Sequence, residues 1–237
     1  MVDFSSIQYR FANRLGEHSL GGIILCGMNW GGGGHGTTEA NNFDGWTEYF
    51  SSLENRYKYQ EEIIKWFAAW GFPLTPDDPS IMDKALSQTN LFLNSSKHFN
   101  HKSYAEEDWI EALENLSQSV SMLKASAILF FSIGICRDAL WRVKEHNVTA
   151  WNDVMGISYH NEEHVFYDSD NFRKYFSVFF THADKMKIAA VPHPTPQRRG
   201  VFSDKSVKCA DTVMTPWLQS ALDQYDHVQK ERSKLIV

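Results

Sequence analysis

Cysteine is scarce in this chain: Cys26, Cys136 and Cys209 are the only three in 237 residues. That is too few, and too scattered, for a disulfide framework or a four-thiolate metal site. Cys26 and Cys136 sit in apolar runs and are expected to be small buried residues. Long hydrophobic runs are also missing, since no stretch approaches the ~20 apolar residues that span a bilayer. The first residues, MVDFSSIQYRFANRL, carry charges where a signal peptide would be apolar, so a soluble, cytoplasmic protein with no membrane partner is expected. Positive charge is not in excess either. Lys and Arg total 23 against 29 Asp and Glu, a formal net charge of −6, which argues against indiscriminate nucleic-acid binding but allows a local basic groove. Internal repeats and low-complexity tracts are absent. With 43% hydrophobic and 14% aromatic residues, the chain is long enough to bury one core, and a single domain over residues 1–237 is expected.

What the chain does have is an abrupt run of glycine. The segment IILCGMNWGGGGHG passes from an apolar strand through Asn29 into Gly31, Gly32, Gly33 and Gly34. Glycine serves tight turns and close backbone approach at an entropic cost, so four in a row imply that something sits against this loop. Further short apolar runs, ALSQTNLFLN, SAILFFSIG and KIAAVPHP, read as buried strands bounded by turn formers. Helical patterns lie between them. In EEDWIEALENLSQSVSMLKAS, residues Ile110, Leu113, Leu116, Val120 and Leu123 recur every three or four positions and form one buried face. Similar patterns cover residues 56–70, 135–146 and 211–234, with Pro216 placed in the first turn of the last. Strands alternating with helices predict an α/β fold, a three-layer α/β/α sandwich with a short, mostly parallel central sheet. Ligands in such folds bind outside the carboxyl ends of the strands.

The chemistry-bearing residues cluster at those ends. Gly27, Met28 and Asn29 follow the first apolar strand, Asn90 lies in TNLFLN, and His193 follows the last strand in VPHPTPQRRG. Two other patterns suggest different chemistry. HNEEH, residues 160–164, places two histidines four apart, which on a helix could share a metal; Asn161 stands where the metalloprotease signature has glutamate, and a solvated polar turn is the preferred reading. GGGGHG suggests a dinucleotide loop but lacks the G-x-G-x-x-G spacing into a helix.

GMNWG after the first strand and HPTP after the last, with the asparagine strand and the ILFFSIG strand between them, resemble the uracil-DNA glycosylase superfamily. The motifs are closest to its single-strand-selective monofunctional branch, whose segment reads Gly-Met-Asn-Pro-Gly. Trp30 replaces the usual proline, Thr195 replaces serine, and the cysteines of the iron–sulfur branch are absent. The resemblance implies a monofunctional DNA glycosylase that flips out a uracil-type or 5-substituted pyrimidine and hydrolyses its N-glycosidic bond, with no metal or organic cofactor. It implies a monomer acting on single- or double-stranded DNA, in base-excision repair or in defence against phage DNA carrying modified bases such as glucosylated hydroxymethylcytosine. A non-catalytic binder of modified nucleic acid on the same fold is the alternative.

By the same resemblance, Asn29 positions the attacking water and His193 hydrogen-bonds the anion developing on the base. Asn90 reads the pyrimidine edge, in either amide flip. Phe43 stacks on the flipped base, beside Gly27, Met28, Trp30 and Gly31. Thr195 and Gln197 belong to the DNA-facing loop, Gln197 as wedge, while Arg198 and Arg199 contact phosphates, with Lys205 and Lys208 extending the same positive edge. Gly31 stands where the most uracil-restricted relatives carry a tyrosine against C5 of the base. An open pocket for a 5-substituent is therefore expected.

Overall fold

A computed structural model describes residues 11–12, 19–27, 58–74, 84–92, 104–194 and 202–235. In chain order its elements are β1 (Phe11–Ala12), β2 (Ile23–Gly27), α1 (Lys58–Ala69), β3 (Leu86–Asn90), α2 (Glu106–Leu123), β4 (Ala127–Phe131), α3 (Ile133–His146), α4 (Thr149–Val154), β5 (Ser158–Asp168), β6 (Asn171–Ala183), β7 (Lys187–Val191), α5 (Asp204–Cys209) and α6 (Asp211–Leu235). The strands form one sheet in the order β1-β3-β2-β4-β7-β6-β5.

Alternation along the strands divides the core in two. Ile23, Leu25, Leu129 and Phe131 face α1 and α6, packing with Ile63, Trp66, Phe67, Trp70, Met214 and Leu218. Ile24, Cys26, Ile128 and Phe130 face the other way, against Leu113, Leu116 and Val120 of α2 and Ile135 and Cys136 of α3. Side chains of period two thus feed two apolar layers, and helices cover both faces of the sheet. The indole of Trp70 donates to Val207 O at 3.2 Å, and Thr215 Oγ1 donates to Trp70 O at 2.7 Å, tying the end of α1 to α5 and α6. Pro216 falls in the second turn of α6 rather than its first.

The expectation of a mostly parallel sheet is corrected. Among the described strands β2 pairs in parallel with β3 and β4, and β4 with β7, but β1–β3, β6–β7 and β5–β6 are antiparallel. The missed element is the β5–β6 hairpin. β5 lies at the sheet edge with exposed residues and no apolar alternation, so its sequence, SYHNEEHVFYD, carries no buried-strand signal. HNEEH is part of this strand and not a turn. Its two histidines are four residues apart along extended chain, ~13 Å, too far to share a metal ion. Among the described residues no helix is long and apolar enough to cross a membrane.

Candidate functional site

The carboxyl ends of β3, β2, β4 and β7 lie side by side, because these four strands are parallel and in register: Gly27 pairs with Asn90, and Phe131 with Val191. Of the described helices, α1 lies after β2 in sequence and packs in one core layer, whereas α3 follows β4 and packs in the other. Folds of this kind bind ligands outside the carboxyl ends of such strands. Gly27, Asn90 and His193, three of the residues singled out from sequence, are thereby brought to one edge. Met28, Asn29, Trp30, Gly31, Phe43, Thr195, Gln197, Arg198 and Arg199 lie outside the described residues.

Glycine at position 27 has a steric cause. A Cβ built there would overlap Asn90 Oδ1 and come within 3.3 Å of the Tyr59 hydroxyl. The backbone of β2 therefore gives up a side chain so that an amide and a phenol can occupy the same spot. Asn90 is 7% exposed at the end of β3, and Leu91 N donates to Gly27 O at 3.0 Å, carrying the pairing one step past the strand.

Tyr59 is the residue that sequence reasoning missed. It comes from the first turn of α1, and its ring lies 5.4 Å from the His193 imidazole and 5.7 Å from Phe131, centroid to centroid. β2 and β7 are separated by β4, so their ends are ~10 Å apart; the tyrosine spans that gap. Its hydroxyl is buried and has no hydrogen-bond partner among the described residues. Burial pushes the phenol well above its ordinary pKa, with the Cys26 thiol adding to the shift, so it remains a protonated donor at neutral pH. The spacing of Tyr59, Ile63, Trp66 and Trp70 continues the apolar stripe of α1 back to the sheet edge, which marks Tyr59 as buried but does not set it apart from the core.

A buried donor without an acceptor costs free energy, and such a group in a native fold calls for an explanation. Here it lies at the strand ends beside an amide and an imidazole. These three side chains offer hydrogen-bond donors and acceptors to a planar polar ligand, with the rings of Phe131 and Tyr59 as an apolar wall. Around the corner, Ser132 caps α3 by accepting from Ile135 N at 3.3 Å, so the first turn of that helix opens at the same edge.

The Cys26 and Cys136 thiols contribute no nucleophile. Cys26 and Cys136 are buried as expected, and desolvation raises both well above the ordinary thiol value. Lys208 does not extend a positive edge: its ammonium caps α1 by donating to Ala69 O at 2.7 Å and pairs with Asp211 at 3.1 Å. Lys205 is paired with Asp170. Among the described residues no group of three or more His, Cys, Asp or Glu is placed to hold a metal ion. A scan against protein-family models finds no match to this chain, and a search of curated proteins finds no match either.

Proposed function

We propose that the chain is a monofunctional DNA glycosylase that hydrolyses the N-glycosidic bond of a flipped-out uracil-type or 5-substituted pyrimidine. The observation that carries this reading is the meeting of Asn90, His193 and the unpartnered Tyr59 hydroxyl at the carboxyl edge of the parallel strands, around a Gly27 that has no room for a side chain. The GMNWG and HPTP motifs flank that edge in sequence. Cleaving the bond leaves an oxocarbenium-like sugar and an anionic base, so a catalyst must place donors where the anion grows and hold a water against the sugar. His193 supplies the donor to the base. Asn90 supplies one donor face and one acceptor to the pyrimidine edge. Asn29, two residues beyond Gly27, holds the water through its amide oxygen. Tyr59 donates a hydrogen bond from its hydroxyl to a ligand oxygen and so satisfies its own buried, unmet donor.

No lysine stands in either motif to form a Schiff base, so the product is an abasic site on an intact strand. The test is incubation with DNAs that each contain one pyrimidine, among them uracil, 5-hydroxymethyluracil and glucosylated 5-hydroxymethylcytosine, with mass spectrometry of the released base. The expected outcome is one or more free pyrimidines, with strand scission only after alkali. Release of no base from any of these DNAs contradicts the reading.

A further inference from the structure

The β5–β6 hairpin reaches beyond the sheet that carries it. β6 is 13 residues long, but its pairing with β7 covers only Phe179 to His182, with Phe179 opposite Ala190. Because the two strands are antiparallel, residues 171–177 run past the carboxyl end of β7, on the edge where His193 lies. At ~3.4 Å per residue that overhang is roughly 20–25 Å long.

The arm is anchored at its root and at its turn. Phe176 packs 5.1 Å from Trp66 and 5.9 Å from Phe202, ring to ring, which joins the root to α1 and to the residue just before the cap of α5. At the turn Asp168 accepts from Asp170 N at 2.9 Å and from the hydroxyl of Ser203, the residue capping α5, while Asp170 pairs with Lys205. Both acids of the turn are thus engaged within the protein.

The outer half of the arm presents rings and cations. Tyr167 and Tyr175 face each other across the hairpin with centroids 6.1 Å apart, both exposed, and Phe172 is 75% exposed. Arg173 and Lys174 follow Phe172, and neither forms a salt bridge among the described residues. In a chain of net charge −6, the arm carries an arginine and a lysine outside any ion pair among the described residues, Lys174 also acting on the Asp168 carboxylate, beside exposed aromatic rings, a combination complementary to a polyanion with stackable faces. Only unpaired bases offer those faces, since in a duplex they are covered by neighbouring base pairs.

We propose that the hairpin arm binds single-stranded DNA flanking the reacting nucleotide, with the Tyr167–Tyr175 pair and Arg173 on one face of the ribbon and Phe172 and Lys174 on the other, the rings stacking on bases and the cations meeting phosphates. The inference rests on the glycosylase reading for the identity of the strand. β6 lies three strand positions from β2 in the sheet order, ~14 Å away, so the arm engages neighbours of the flipped nucleotide and not the nucleotide itself.

The test is fluorescence anisotropy of the full chain with a labelled 20-nucleotide oligo-dT, which contains no substrate base, over a range of salt. Phe172→Ala is expected to weaken binding about tenfold, and Phe172→Trp to retain it. Arg173→Gln with Lys174→Gln should reduce the slope of log affinity against log salt by roughly 1–1.5. In single-turnover base release, Phe172→Ala and the double variant should need more enzyme to reach the half-maximal rate, in step with their weaker binding. If the parent chain releases a base while the arm variants bind oligo-dT as it does, the arm inference falls and the glycosylase reading stands. If the variants lose binding and the parent releases no base, the arm stands and the glycosylase reading falls. Failure of the parent chain to bind oligo-dT at low salt overturns the inference, as does sedimentation showing that the arm joins two copies of the chain.

Discussion

The two halves of the sheet are built on opposite terms. In the parallel half, β2, β3 and β4 are five residues each and every position is buried, so the strands contribute only their ends to the surface. In the antiparallel half, β6 has a buried middle from Phe176 to Thr181 and an exposed outer stretch, and β5 is exposed along much of its length. A strand covered on both faces can do chemistry only where it stops, and what it offers there is rigid because the layers hold it. A hairpin that leaves the layers offers its whole length, at the cost of a weaker hold on each residue. We assign reaction to the first half and reach to the second.

This contrast can be broken by substitution, and the largest effect is expected at the parallel edge. His193→Ala removes the proposed donor to the leaving base and should lower single-turnover base release by about 10²–10³-fold, consistent with loss of one oriented electrostatic group. A rate within threefold of the parent would remove His193 from the chemistry. Next comes Gly27→Ala. The added Cβ meets Asn90 Oδ1 in a central strand, and overpacking of this kind costs about 1–3 kcal/mol. Urea denaturation should report that loss, together with reduced base release because Asn90 is displaced.

Tyr59→Phe separates a structural tyrosine from a ligand-facing one. The hydroxyl has no partner among the described residues, so its removal should leave stability unchanged or raise it by ~1 kcal/mol. Base release should nonetheless fall about tenfold. Lost stability with unchanged release would mean that the hydroxyl serves the fold.

The smallest effect belongs to the arm. Hydrogen bonds from Ser203 and Asp170 N, aided by Lys205 and Lys174, hold the Asp168 carboxyl below the usual carboxylate range, and Lys205 and Ser169 do the same for Asp170. Their folded pKa values are lower than in the unfolded chain, so the stabilisation is present above ~3.9 and is lost as pH falls through the folded values. The Asp170 amide, which donates to Asp168, should titrate by NMR with a midpoint below ~3.9. A midpoint at or above that value would detach the turn from α5.

The same contrast explains what could be read from the sequence. IILCG and AILFF are legible as strands because burial on both faces leaves unbroken apolar runs, and α2 is legible because Leu113, Leu116, Val120 and Leu123 repeat at helical spacing. Strand order places Gly27, Asn90 and His193 at one edge, where the α/β pattern expected a ligand. β5 was illegible because its residues answer to solvent and to the partner strand of their own hairpin, β6, not to a core. Tyr59 was illegible as a site residue because its ring obeys the same periodicity as the core tryptophans. Only the position of its hydroxyl against Gly27, a contact between α1 and β2, distinguishes it.

The central claim, that a pyrimidine binds at the carboxyl edge of the parallel strands, is tested most directly by titrating the isotope-labelled protein with free pyrimidine bases and following its NMR spectrum. Saturable shifts at the Gly27 amide, the Asn90 side-chain amide, the His193 imidazole and the Tyr59 ring, with the β5–β6 arm unmoved, are the predicted result. Shifts confined to the arm, or none at this edge with a base that the protein releases from DNA, would contradict the account.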